Sequence, residues 1–462
     1  MNRRNFIVGT YGLALTALGD PSQRAAAAEK NPSFDPSYDQ LPTAEEQTKD
    51  LDSEALGAQA KPRTVHMMPV TGLPHDLGKF DEQSATMIKN AGIVGVSFAI
   101  AVDRQLVVTR GFGHLSSHDK APATPTNPGY LGSITKPLCA FAGLTLVKAG
   151  KLKLDQKVVD LLPMEPLLKE GEKRQPGIDH VTVRMLMNHT SGLFNVVEDL
   201  FDRAYYKQLA AKGKLELVHG DISQYDLVRR GMARPFVSKP GAEYHYSGQG
   251  LQVLGRIVEK LSGQRLDKYI SSKVLTPLGV KHHATLSYLS PEQLAQIDAG
   301  NALKTHTFIP SPYNEAKKVC ESWAYKKPVE DLYGNHWGQA DACGSSMLSA
   351  VDLLRFVTFC VDLLNKELIV EALTPTKREP FSNGLGWGVS MNQGRFQYGH
   401  GGAWGGIRAF CESTWDNVQY AVLSAGDQDD QFNAIAEKVL ALGRSLRDKK
   451  ATAIGWQRYG FK

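Results

Sequence analysis

Cysteine is scarce: five in 462 residues do not make a disulfide framework, and their odd number leaves at least one thiol unpaired. No Cys-x-x-Cys, His-Glu-x-x-His or EF-hand spacing occurs, so nothing in the pattern asks for a metal, and no cofactor is expected. An excess of one charge is missing too. Lysine and arginine number 53 against 48 aspartates and glutamates, a net charge of only +5 with no dense basic block. That excludes a strongly basic nucleic-acid binder. Beyond residue 20 no apolar run reaches about 18 residues, so no spanning helix is expected in the body of the chain. What remains, 42% apolar and 22% charged, is the composition of a folded globular protein. Its length exceeds one ordinary core, and two lobes or two domains are expected.

The amino terminus reads as an address. Arg3 and Arg4 precede an apolar stretch from Phe6 to Leu18, too short to span a bilayer but suited to a signal peptide, and Ala25-Ala26-Ala27-Ala28 offers a small-residue cleavage site. The arginine pair resembles a twin-arginine export signal; an ordinary secretory signal is the alternative. Either assigns residues 1–28 to export, with the mature protein periplasmic or secreted from a bacterium. Residues 29–75, rich in Pro, Ser, Asp and Gln, read as a poorly ordered leader.

The body spans 76–445. Phe80 to Asn90 has helical spacing closed by Gly92. Val94, Val96, Phe98, Ile100 and Val102 alternate as in a half-buried strand, and Leu106 to Thr109 returns as its hairpin partner. From 137 to about 300 the pattern turns helical (Leu138–Lys148, Val181–Met187, Leu251–Leu261). Strand signals return at Gly386–Val389, Arg395–Tyr398, Ile407–Glu412 and Gln419–Ser424. A closing helix from Phe432 to Leu442 is expected to end at Gly443, leaving 446–462 as a tail. Strands at both ends of the body imply one antiparallel sheet flanked by helices (an α/β chain of the α+β type) with an all-helical insertion.

One constellation carries chemistry. A serine hydroxyl becomes a nucleophile only beside a base, and Ser133-Ile134-Thr135-Lys136 supplies both groups, three apart on one helical face. A second Ser-x-x-Lys, Ser117-His118-Asp119-Lys120, lies among turn formers where no helix would hold its lysine. Ser133 instead opens the apolar run Leu138-Cys139-Ala140-Phe141-Ala142-Gly143-Leu144, and Pro137 is tolerated in a first turn. There the serine N–H can also face a developing oxyanion.

Gly132-Ser133-Ile134-Thr135-Lys136-Pro137, Gly150-Lys151-Leu152-Lys153-Leu154-Asp155 and Val183-Arg184-Met185-Leu186-Met187-Asn188-His189-Thr190-Ser191-Gly192-Leu193 together resemble the serine β-lactamase-related family. That family includes class C β-lactamases, D-alanyl-D-alanine carboxypeptidases, D-aminopeptidases and family VIII esterases. The resemblance covers roughly residues 80–445. It implies a β-lactamase/transpeptidase-like fold and a serine hydrolase that works through an acyl-enzyme on a small ester or amide. A non-catalytic penicillin-recognition or sensor domain is the competing class, although such a relative would be expected to lose the lysine or the tyrosine.

The family's Tyr-x-Asn element matches Tyr246-Ser247-Gly248, after the Pro240-Gly241 turn and before the helix Leu251-Leu254-Ile257-Val258-Leu261. Tyr333-Gly334-Asn335 fits the letters but lacks that context. The family's Lys-Thr-Gly strand resembles Tyr398-Gly399-His400-Gly401-Gly402-Ala403, so His400, Gly402 and Ala403 are expected at the substrate and oxyanion positions, the Ala403 N–H joining that of Ser133; His336-Trp337-Gly338 repeats His-x-Gly elsewhere. Lysine and tyrosine both titrate near ~10 when unperturbed, so both need help as bases. Lys136 and Tyr246 can shuttle the serine proton, and the sequence leaves open which takes it first.

His400 and Gly401 stand where the family has an ammonium and a hydroxyl for a substrate carboxylate, and a neutral donor role is expected for His400. Gly248 removes the family's side-chain amide. Ester hydrolysis therefore ranks first, a D-peptidase or amidase second, β-lactam turnover third. His189 reads as structural, because the family keeps His-Thr-Ser-Gly as a turn. Residues 196–236, with Phe201, Tyr205, Tyr206 and Tyr225, either cover the cleft or simply pack. Cys139 reads as a small core residue, while Cys320 and Cys343 have a spacing that permits pairing without demanding it.

Overall fold

The computed structural model describes residues 70–72, 77–115, 121–173, 176–195, 203–214, 217–218, 221–280, 283–285, 313–314, 319–321, 328–329, 340–376, 383–392, 394–404, 407–426 and 429–459. The export segment, most of the leader, the Ser117–Lys120 motif, Tyr333-Gly334-Asn335 and His336-Trp337-Gly338 lie outside the described residues.

Seven antiparallel strands form the main sheet. Three come early in the chain: β1 (Val70–Thr71), β2 (Gly95–Val102) and β3 (Gln105–Gly113). Four come late: β4 (Gly388–Asn392), β5 (Arg395–Trp404), β6 (Ile407–Ser413) and β7 (Val418–Ala425). The spatial order is β1-β3-β2-β7-β6-β5-β4. The two ends of the body meet at β2 and β7, where Val102 faces Val418 and Gly95 faces Ala425. The sheet thus starts earlier than the sequence suggests: Val70 and Thr71, assigned to the leader, pair with Phe112 and Gly111.

Alternation along β2 sorts side chains by size rather than by polarity. Val96, Phe98 and Ile100 face one apolar cluster with Phe80, Ile88, Phe410, Tyr420, Phe432 and Val439. Ala99 and Ala101 face the other, with Leu138, Phe141, Phe356 and Trp387. The strand expected to be half-buried is therefore buried on both faces, because helices cover both. On the first face lie α1 (Lys79–Asn90) and a long carboxy-terminal helix; on the second lie α2 (Thr135–Lys148), α3 (Val183–Met187), α4 (Gly248–Ser262) and α5 (Ala350–Phe359). Alanines on the inner face let these helices close on the sheet.

The last helix, α6 (Asp429–Asp448), does not stop at Gly443 as expected. A Cβ there would stand 2.6 Å from Val418 Cγ1 and 3.1 Å from Ile100 Cγ2. The glycine marks the closest approach of helix to sheet, not a helix end. The tail beyond returns to the β2–β3 turn, where Asp103 and Arg104 both have positive φ (48° and 65°), the geometry of a tight two-residue hairpin. Trp456 Nε1 donates to the Arg104 carbonyl at 3.0 Å, and its buried ring packs edge-on against Phe359.

α2 is apolar on nearly every side and runs through the interior, as such a helix must. α4 begins with Ser247, whose Oγ accepts the Gly250 N–H at 3.1 Å, and ends at Gly263 in the left-handed region. These two helices, with β5, frame the site.

Candidate active site

Ser133 sits in a 3-10 turn, Gly132–Ile134, that leads straight into α2. The turn lies against β5, backbone to backbone. A Cβ on Gly132 (φ 50°) would stand 2.9 Å from the Ala403 nitrogen, and one on Gly402 would stand 1.8 Å from the Leu131 carbonyl oxygen and 3.2 Å from the Ser133 nitrogen. Only two glycines allow this approach. It brings the backbone at Ser133 close to that at Ala403.

Lys136 lies one turn on and is buried with Ser133 (3% and 7% exposed). Its Nζ donates to Ser133 Oγ at 3.0 Å and to the Cys343 carbonyl at 2.9 Å. That carbonyl belongs to a turn held from two sides. The Ser346 N–H donates to Thr135 Oγ1 at 3.0 Å, and the buried Asp341 pairs with Arg256 of α4 at 2.5 Å. Lys136 Nζ also stands 4.7 Å from the centre of the Tyr246 ring, an ammonium over an aromatic face. Ser133 and Lys136, on one continuous turn and helix, are thus brought together with Tyr246 from a separate segment.

His400 approaches from β5, its ring 6.5 Å from that of Tyr246. Burial first, and the Lys136 cation second, push its imidazole down to about 3. The neutral ring donates Nδ1–H to the Gly401 carbonyl at 2.5 Å, so its other nitrogen is an acceptor. This donor is thus directed at the strand's own backbone.

Two further groups were not assigned to the site from sequence. His189 lies 4.7 Å from Tyr246, ring to ring, with Nδ1 accepting the Ser247 N–H at 3.2 Å. Burial, then Lys136 and His400, lower its pKa well below the ordinary histidine value. Asn195 Oδ1 accepts the Gly248 N–H at 3.1 Å, so a carboxamide does reach the start of α4, from another segment. A backbone carbonyl such as that of Cys343 has no residue-type signature. His189, by contrast, sits in a motif the sequence had already marked.

Elsewhere, Tyr206 is buried in the core beside Leu209, which is packing, while Tyr225 is exposed. Phe201 and the Tyr205 side chain lie outside the described residues. Cys139 is a buried free thiol, as expected, and Cys343 is also free. Among the described residues no helix is long and apolar enough to cross a membrane, and no group of His, Cys, Asp or Glu could hold a metal ion.

Over 210 residues the chain is 30% identical to esterase EstB of Burkholderia gladioli, covering 45% of this chain and 51% of EstB. Over 330 residues it is 26% identical to a penicillin-binding protein of Bacillus subtilis (strain 168), covering 69% of this chain and 65% of that one. The chain therefore spans between about half and just under two thirds of the length of these curated relatives. Two solved structures share the fold. The D-amino acid amidase from Ochrobactrum anthropi SV3 aligns with a TM-score of 0.60 at 17% identity, covering 80% of this chain and 99% of the amidase. The octameric penicillin-binding protein homologue from Pyrococcus abyssi aligns with a TM-score of 0.59 at 23% identity, covering 83% and 80%. The beta-lactamase family model matches residues 80–444, and the chain belongs to that family.

Proposed function

We propose that this protein is a serine hydrolase that forms an acyl-enzyme on Ser133 and acts first on small carboxylic esters. The observation that carries the reading is the buried Lys136 Nζ–Ser133 Oγ hydrogen bond of 3.0 Å beneath the Tyr246 ring. Ser133 Oγ attacks the ester carbonyl carbon as its proton passes to whichever of Lys136 and Tyr246 is in its unprotonated form, the amine or the phenolate. The carbonyl oxygen becomes an oxyanion held by the Ser133 and Ala403 N–H groups, donors fixed before charge develops. On collapse the proton goes to the departing alkoxide. Water then attacks the acyl carbonyl, its proton taken up by the same pair; the bond to Ser133 Oγ breaks, the proton returns to Oγ and the acid is released.

His400 adds no cation and Gly401 no hydroxyl, which favours neutral acyl groups over carboxylate-bearing β-lactams. The EstB relative is named an esterase. Amide hydrolysis is the second reading, and the carboxamide of Asn195 at the start of α4 favours it. We further propose export, with removal of residues 1–28.

The test is kcat/KM for p-nitrophenyl butyrate, D-amino-acid amides and nitrocefin, in wild type and Ser133→Ala. Esters should be turned over fastest and nitrocefin slowest, with every activity lost in Ser133→Ala. Amides turned over faster than esters would overturn the substrate ranking, and activity retained by Ser133→Ala the mechanism.

A further inference from the structure

His189 holds the three residues centred on Tyr246 from both sides. Its carbonyl accepts the His245 N–H at 2.8 Å, its Nδ1 accepts the Ser247 N–H at 3.2 Å, and its ring lies 4.7 Å from the Tyr246 ring at 36° between planes. The residue is 2% exposed. It does this from a φ of 60°, a left-handed conformation uncommon among non-glycine residues. The bond from Ser247 requires a bare Nδ1, so the imidazole carries its proton on Nε2. Ser247 is also the cap of α4. A shift of His189 would therefore move Tyr246 relative to both that helix and Lys136.

We infer that His189 is the positioning residue for Tyr246, fixing the phenol against the Lys136–Ser133 pair through its Nδ1 acceptor and its ring. This rests on the proposed role of Tyr246 in proton transfer. His189 itself touches no reacting atom.

Asparagine tolerates a left-handed backbone and places Oδ1 where histidine has Nδ1. Glycine tolerates the same backbone and removes both acceptor and ring. Comparing His189→Asn with His189→Gly therefore isolates the side chain from the strain. The assay is the burst of p-nitrophenol from p-nitrophenyl butyrate, which reads acylation, with KM measured alongside.

His189→Gly should lower the acylation rate by about 10²-fold, the order expected when a catalytic group is misplaced by ~1 Å. KM should change by less than about threefold, and His189→Asn should keep the rate within about fivefold. In a Tyr246→Phe background His189→Gly should cost almost nothing further, because residues acting through one group are not additive. If His189→Gly does not fold, His189→Gln, whose carbonyl sits one carbon too far out, replaces it with the same expectation.

Equal rates in His189→Asn and His189→Gly, or a full additional loss in the Tyr246→Phe background, would overturn the inference and leave the role of Tyr246 standing. Normal acylation by Tyr246→Phe alone would remove that role and the inference with it.

Discussion

Gly402→Ala tests the oxyanion geometry with a single methyl group. The added Cβ would lie 1.8 Å from the Leu131 carbonyl oxygen, against the 3.0 Å below which real Cβ contacts are essentially never found. The obstacle is backbone on both sides and no rotamer relieves it, so β5 and the serine turn must separate by more than an ångström. The displaced strand carries the Ala403 N–H and the turn carries that of Ser133. Losing one oxyanion donor costs about 2.7–4 kcal/mol of barrier, about 10²–10³-fold in kcat. The variant should therefore lose about 10²-fold or more in kcat for p-nitrophenyl butyrate, with near-ultraviolet circular dichroism reporting a retained fold. A folded Gly402→Ala protein with kcat within about threefold of wild type would refute the proposed hole.

Other consequences concern pH and packing. His400 is neutral above about 3, so the wild-type rate profile from pH 5.5 to 9 should lack a limb from this ring; His400→Lys should improve kcat/KM for nitrocefin more than for p-nitrophenyl butyrate, and equal changes would reject carboxylate selection at this position. Burial pushes the Glu412 carboxyl up to about 7, although Tyr420 and Gln397 donate to it. Its folded pKa thus lies above the unfolded value, so the stability it contributes is complete below pH ~4.3 and is lost as pH rises through about 7. Glu412→Gln should remove that loss, a gain over wild type that grows to roughly 3 kcal/mol by pH 8; urea curves that shift in parallel at pH 5 and 8 would contradict it. Gly443→Ala would ordinarily stabilise a helix by up to ~1 kcal/mol, but its Cβ would meet Val418, and a loss of about 1–3 kcal/mol is expected. A raised Tm would show that the helix can lift off the sheet without cost.

Much of this was legible in the sequence. The alternation of Val96, Phe98 and Ile100 gave the strand, and apolar runs at both ends of the body gave one sheet from distant segments. Burial on both faces was not legible, because Ala99 and Ala101 suit a close-packed face as well as an exposed one. Gly443 misled for a related reason: local rules treat glycine as a helix stop, whereas here contact with Val418 and Ile100 selects it. At the site, the three-residue spacing of Ser133 and Lys136 was readable because it is local. The hold of His189 on Ser247 spans 58 residues and that of Cys343 on Lys136 spans 207; periodicity carries no trace of either. Asn195 shows the same limit, since Gly248 alone suggested that a carboxamide was missing.

The proposed chemistry depends above all on Ser133 as the nucleophile. An activated phosphonate ester followed by intact-mass and peptide mapping examines this without assuming a substrate. One phosphonyl group should add per chain, on Ser133, with none in Ser133→Ala and slowed addition in Lys136→Ala. Labelling that persists in Ser133→Ala, or that maps to another residue in the wild type, would contradict the mechanism proposed for this site.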